Sequence, residues 1–258
     1  MRRLFLPVFL VLFALHAAAT PSLSYNVIAR YTHPDTPFTQ GLELDGDIVY
    51  ESSGLYTQSF IARWHLSDQK VFDKQNLPVT IFAEGLTLFN NRVYVLSWKE
   101  QKAAVFDKAT LQKIGEFDYR GEGWGLTHSS QALIMSDGSD TLRVFDPEDF
   151  HGVKNIAVTD NGQPVERLNE LEWIPARGKQ PARILANIWQ SDIIVVIDPD
   201  NGNVTAHLDL SKLYPKGQRS AHSDVLNGIA FDPRDNTLLI TGKFWPYVFR
   251  VQLTEPLR

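Results

Sequence analysis

The stretch GWGLTHSSQALIMSDG, residues 123–138, sets a large indole between two glycines, Gly123 and Gly125, just ahead of a short apolar strand. Glycine serves where the backbone turns tightly or lets another segment approach closely. The pattern recurs along the chain. Gln40-Gly41-Leu42 leads ELDGDIVYESSG, Glu84-Gly85-Leu86 leads TLFNNRVYVLSW, and Asn227-Gly228-Ile229 leads AFDPRDNTLLITGKFW. Glu170-Leu171-Glu172 begins a looser copy that ends RILANIWQ. Each copy reads as a strand, a polar turn and a second apolar strand. A third alternating strand follows each one: FIARWHL, AAVFDKA, LRVFDPE, IIVVIDP and YVFRVQL.

The lead positions 40, 84, 124, 170 and 227 are separated by 44, 40, 46 and 57 residues. A strand-built unit of that length is the signature of a β-propeller blade. One blade buries its faces only against its neighbours, and a linear array would leave strand edges open. Five units are therefore expected to close into an all-β, five-bladed propeller. YNVIARYTH, from Tyr25, precedes the first unit and is expected to close the ring as the outer strand of the last blade. The long segment 203–226 explains the widest spacing and is expected to hold a short helix near Leu210–Leu213. No linker-like break interrupts the repeat, so residues 20–258 read as a single domain.

In a propeller the innermost strand lines the central channel, and equivalent positions in the blades converge on the axis. Those slots hold Gln40, Glu84, Trp124, Glu170 or its neighbour Asn169, and Asn227. Second strands end at Ser53, Trp98, Asp137, Trp189 and Lys243-Phe244-Trp245. The frame is shared while the axial residues differ, which points to a site assembled from one residue per blade. Glu170 and Glu172 lie on one strand, and only one of them is expected to face the axis. Trp64 and Trp173 fall outside the axial slots and are expected in the core or at the rim.

The remaining composition narrows the function. The net charge is −5 and no basic run extends beyond the first residues, which excludes a nucleic-acid binder. Arg2-Arg3, the apolar run Leu4–Leu15 and the small residues up to Ala19 read as a secretory signal peptide, residues 1–19. That run is too short for a membrane span, so the mature chain is expected to be exported, periplasmic or secreted, and free of the membrane. With no cysteine, thiol catalysis and thiolate metal sites are excluded, and the fold must stand without disulfides. The seven histidines lack metal-ligand spacing, and no nucleophile motif appears, so neither a metal nor a cofactor is expected. DPDNG, 198–202, departs from a calcium loop in its glycine position and reads as a hairpin turn, and Asp137–Asp140 reads as another. A closed ring needs no partner to cover an edge, so a monomer is expected.

Taken together, FTQGLELDGDIVYESSGLY, FAEGLTL, VLSWKE, YRGEGWGLT, LNELEWI, ANIW and VLNGIAFD…LLITGKFWP resemble the plant and bacterial type of glutaminyl-peptide cyclotransferase, in the right order from about Phe38 to Val251. The resemblance implies a five-bladed propeller that converts the N-terminal glutamine of peptides or proteins to pyroglutamate with release of ammonia. It implies further that Phe38 and Gln40, Phe82 and the catalytic Glu84, the tryptophans Trp98, Trp124 and Trp189, Asn169 and Lys243 form the pocket. One departure is local: Thr57 stands where the family often has glycine after the tyrosine of GLYxQS.

Cyclisation asks for removal of a proton from the amine, stabilisation of an oxyanion and protonation of the departing nitrogen. A single carboxyl can serve both proton transfers, and Glu84 is the candidate, its pKa raised by the apolar walls. Lys243 or Asn169 is available to donate to the oxyanion, and Gln40 to orient the substrate. For Lys243, simple neutralisation of the channel carboxylates is an equal reading. Two other classes fit the residues less well. One is a non-catalytic propeller that binds peptide or sugar at a tryptophan-lined mouth. The other is a metal-dependent lactonase-type propeller, with Glu84, Glu170 and Asn227 as ligands.

Overall fold

The computed structural model describes residues 19–257, so the stretch 1–19 read as a signal peptide lies outside the described residues except for Ala19. The architecture is a five-bladed β-propeller, with no α-helix among the described residues. Blade 1 consists of Thr39–Asp45, Ile48–Ser53, Phe60–His65 and Val71–Asn76, in that order from the axis outward. Blade 2 consists of Ala83–Phe89, Arg92–Ser97, Lys102–Asp107 and Lys113–Asp118, and blade 3 of Leu126–His128, Leu133–Met135, Thr141–Phe145 and Gly152–Ala157. Blade 4 runs Leu168–Ile174, Arg183–Ile188, Ile193–Ile197 and Val204–Asp209. Blade 5 runs Leu226–Asp232, Thr237–Gly242 and Tyr247–Leu253.

Closure follows the expected route. Tyr25–Thr32 pairs antiparallel with Tyr247–Leu253 and becomes the outer strand of blade 5. A second fastening has no counterpart in the repeat: Ser22–Leu23 pairs in parallel with the outer strand of blade 4. The chain thus ties blade 4 and blade 5 together before it begins blade 1. A buried latch finishes the seam. His33 approaches the Glu51 carboxylate at 3.0 Å through Nε2 and the Trp245 carbonyl at 3.0 Å through Nδ1, while Thr39 Oγ1 and Trp64 Nε1 donate to the same carboxylate.

The core lies between blades. Val195, Ile197, Ile184 and Leu171 of blade 4 pack with Ile134, Leu142 and Val144 of blade 3, and each seam repeats this face-to-face burial. Outer strands such as Lys113–Asp118 and Gly152–Ala157 are largely exposed and bury little.

One expectation fails. Residues Leu210–Leu213 form a single turn, not a helix, and the only helical turn among the described residues is a 3-10 turn at Lys216–Gln218. Leu210 and Leu213 are both held in the core of blades 4 and 5, and Pro215 disfavours helical geometry at Tyr214, so a helix started at Leu210 cannot propagate. The DPDNG segment is the tight connection between two strands of blade 4, with Gly202 at φ 77° and its N–H bonded to the Asp198 carbonyl.

Candidate active site

The inner strands share one irregularity. In blades 1, 2, 4 and 5 the pairing of the first two strands slips at Thr39/Gly41, Ala83/Leu86, Leu168/Leu171 and Leu226/Ile229. A β-bulge inserts an unpaired residue and re-aims its side chain. The bulges fall at Gln40, Glu84, Asn169 and Asn227, the predicted axial slots. Glycines make the arrangement possible. A Cβ on Gly41 would run into the Leu86 backbone, one on Gly85 into Leu126, and one on Gly125 into the Asn169 carbonyl. Consecutive inner strands therefore approach backbone to backbone around the axis.

All nine predicted pocket residues meet in one cavity of about 320 Å³: Phe38, Gln40, Phe82, Glu84, Trp98, Trp124, Asn169, Trp189 and Lys243 line it, joined by Leu55 and Asp224. Its walls are aromatic. Phe82 lies 5.4 Å from the Trp98 ring, Phe38 meets Phe82 edge-on at 6.1 Å, and Trp124 meets Trp189 edge-on at 5.4 Å. Phe244, with φ 57°, packs on Phe38 at 5.1 Å. Between the glycines of the opening stretch, the Trp124 indole forms a pocket wall and lies over Gly138, where a side chain would collide with the ring.

The polar groups are few and under-used. Glu84 is 5% exposed, and among the described residues no protein donor bonds its carboxylate. Burial pushes its pKa well up, Lys243 opposes that, and Glu122 and Glu100 add to it. Lys243 lies 4.7 Å from the Phe38 ring centre, and burial drives its pKa down against the pull of Glu84 and Asp224. Burial thus moves both groups toward their neutral forms. Gln40 Oε1 and Asn169 Oδ1 are buried acceptors with no protein donor among the described residues. A larger hollow of about 490 Å³ opens between blades 1 and 2, but the charged groups around it, Lys102, Lys113 and Glu116, are paired with one another.

Other predicted axial residues are placed elsewhere. At the blade 4 slot Asn169 faces the cavity, while Glu170 accepts the N–H groups of Ile229 at 3.0 Å and Leu42 at 3.4 Å, farther along the inner strands. Glu172 is also turned inward, and its carboxylate accepts the Phe231 N–H at 2.6 Å. The expectation that only one of the two would face inward is wrong, because residues two apart on a strand share a face. Asn227 Nδ2 donates to the carbonyl of Thr39 at 3.0 Å, so it braces the backbone beside Gln40 and does not line the cavity. Ser53 Oγ accepts the Phe38 N–H, Asp137 caps its own turn, and Trp245 is wholly buried in the core. Trp64 is core, and Trp173 is half-buried against the core of blades 3 and 4. The set proposed for a lactonase metal is not assembled, since both Glu170 oxygens are taken by backbone N–H groups. Among the described residues the three acidic or imidazole groups near enough to share an ion are Asp146, Asp149 and His151, in an exposed turn.

With this geometry in place, the chain can be set beside known proteins. The glutamine cyclotransferase family model matches residues 7–253. The chain belongs to that family. It is 37% identical over 234 residues to the glutaminyl-peptide cyclotransferase of Arabidopsis thaliana, covering 89% of this chain and 71% of the plant protein. The crystal structure of Myxococcus xanthus glutaminyl cyclase superposes with a TM-score of 0.78 at 34% identity, covering 89% of this chain and 96% of that one.

Within the family frame, sequence reasoning missed Leu55, Asp224 and Glu122. Asp224 follows the irregular loop before blade 5, where no repeat register applies. Leu55 has φ 82°, a conformation rare for leucine that no local sequence signal announces. Glu122 lies inside the quoted motif YRGEGWGLT, two residues before Trp124, and that proximity was the available signal.

Proposed function

We propose that this cyclotransferase closes the N-terminal glutamine of peptides and proteins to pyroglutamate in the propeller channel, by acid–base catalysis without a metal. The supporting observation is the buried Glu84 carboxylate: it faces the cavity beside Lys243 and has no protein hydrogen bond among the described residues. The substrate side chain enters between the aromatic walls, which exclude water and fold it back toward its own amine. The unpaired oxygens of Gln40 and Asn169 accept substrate N–H groups. Glu84 takes a proton from the α-amine, and the amine nitrogen attacks the side-chain carboxamide carbon. Lys243 donates to the oxygen as it gains charge. Glu84 returns its proton to the carboxamide nitrogen, the C–N bond breaks, and ammonia leaves. The new lactam nitrogen keeps one hydrogen, so atoms and protons balance.

The mature chain is proposed to act as a monomer in the periplasm or outside the cell, free of the membrane. No helix of the described residues is long and apolar enough to span a bilayer. Ammonia release from a Gln-initiated dipeptide, with and without excess chelator, tests the reading. Release that persists in chelator is expected, and activity abolished by chelator and restored by zinc or calcium would overturn it.

A further inference from the structure

Two walls of the cavity are fixed by one residue outside it. Trp98 directly follows the second strand of blade 2, and Trp124 precedes the first strand of blade 3. Their indole Nε1 groups both donate to the same oxygen, Glu122 Oε2, at 2.7 and 3.0 Å. Lys99 closes the arrangement from the solvent side: its ammonium lies 3.8 Å from Glu122 Oε1 and 3.8 Å from the Trp98 ring centre. An aromatic wall that swings does not hold a small side chain in a near-attack pose. Charge-assisted hydrogen bonds are the stronger ones, and here two converge on one carboxylate.

We infer that Glu122 is a positioning residue of the cyclisation site: it ties the Trp98 and Trp124 indoles into one rigid wall and places a fixed negative charge at the mouth. The charge has a second consequence. The groups acting on Glu84 come from three elements: Lys243 from blade 5, Glu100 from the loop after the second strand of blade 2, and Glu122 from the loop entering blade 3. Burial opposes ionisation of Glu84 most, Lys243 favours it, and both glutamates add to the opposition. Glu122 thus shapes the pocket and raises the affinity of the Glu84 carboxylate for the proton it takes from the amine.

This inference rests on the proposed reaction, so its test includes a measurement that needs no turnover. In the full mature chain, the six indole N–H signals are recorded by nitrogen–proton correlation NMR, with Trp98→Phe and Trp124→Phe assigning two of them. Glu122→Ala is expected to move both assigned signals and to leave three of the other four in place, since Trp189 packs on Trp124. Two unmoved signals would refute the tether whether or not the protein is active. In steady-state assays on a Gln-dipeptide, Glu122→Ala is expected to raise KM and lower kcat/KM about two- to tenfold, the worth of a partly exposed hydrogen bond. Signals that move while kcat/KM stays at the wild-type value would confine Glu122 to a structural role. Glu122→Gln keeps an acceptor for the indoles and removes the charge. It is expected to restore most of KM while moving the Glu84 limb of the pH profile of kcat/KM to lower pH. If the alanine variant does not fold, that limb carries the test alone, and an unmoved limb overturns the inference. Wild-type protein that releases no ammonia would instead sink the proposed reaction, leaving the indole signals to decide the tether.

Discussion

Glu84 at the inner-strand bulge of blade 2 and Glu170, next to the bulge residue Asn169 in blade 4, are both almost fully buried, both with pKa values pushed up by burial, and their surroundings give them opposite uses. Glu170 spends its oxygens on the N–H groups of Ile229 and Leu42, and so stitches blade 4 to blades 5 and 1. Glu172 and Glu43 do the same farther along, accepting N–H groups from Phe231 and Leu88. Glu84 has only the cavity to face. A buried carboxylate with its lone pairs satisfied is part of the frame, and one left without donors is held ready for an incoming molecule. Burial alone does not make a catalytic group; the missing partner does.

The comparison breaks most visibly at Glu84. Glu84→Gln keeps the shape and cannot relay the proton, so kcat is expected to fall about 100- to 10,000-fold while dipeptide binding and the melting temperature change little. Turnover near wild type in this variant, with loss of activity in Glu170→Gln or Lys243→Met, would reassign the acid–base role. Glu170→Gln should show the reverse behaviour. Its amide nitrogen confronts a backbone N–H that then lacks an acceptor, at a cost of about 1–3 kcal/mol. Thermal melts should record a fall of about 2–4 °C for each kcal/mol, with kcat within a few-fold of wild type.

Within the cavity, Trp124→Ala removes a half-buried wall and its edge-on contact with Trp189. A loss of about two- to tenfold in kcat/KM with the fold intact is expected, and a variant recovered only as aggregate would make Trp124 a core residue.

The frame carboxylates can also be read through pH. The pKa of Glu43 is raised to about 7 by burial, against the hydrogen bonds from Thr87 and Leu88. A raised folded-state value means that its contribution to stability is complete below its unfolded value, near 4.5, and is lost as pH climbs toward 7. Melting temperature should decline across that window, and Glu43→Gln should flatten the decline. A slope unchanged in the variant would assign it to other groups.

The smallest effect is expected at the rim, where Thr57 departs from the family pattern. Its φ of 69° lies in the left-handed region, which a β-branched residue adopts at a cost of about 1–2 kcal/mol. Thr57→Gly relieves that strain but adds chain entropy to the unfolded state, so a net gain of under about 1 kcal/mol is expected in denaturant melts. A loss of stability would mean that the threonine side chain contributes contacts outweighing its strain.

How much of this was legible differed by element. The spaced lead motifs and apolar second and third strands marked the blades, because strands packed on both faces must carry apolar residues at fixed intervals. The outer strands, such as KIGEFD at 113–118, left almost no mark, since an exposed strand can be written in nearly any residues. The segment around Leu210–Leu213 misled because two buried leucines three apart suit a turn as well as a helix.

Repeat register, a local property that pleating turns into position, marked the number of blades, the closing role of the strand from Tyr25, and Gln40, Glu84 and Trp124 at the axis, while Phe38, Phe82 and the choice of Asn169 were implied by the family resemblance. Only the tertiary structure decided what those residues do. At blade 4 a bulge sends Asn169 to the cavity and leaves Glu170 to the backbone of blades 5 and 1, and two indoles 26 positions apart, at 98 and 124, meet on the single carboxylate of Glu122. Whether a buried polar atom has a partner depends on strands that lie far away in the chain, and no local pattern of residues encodes that answer.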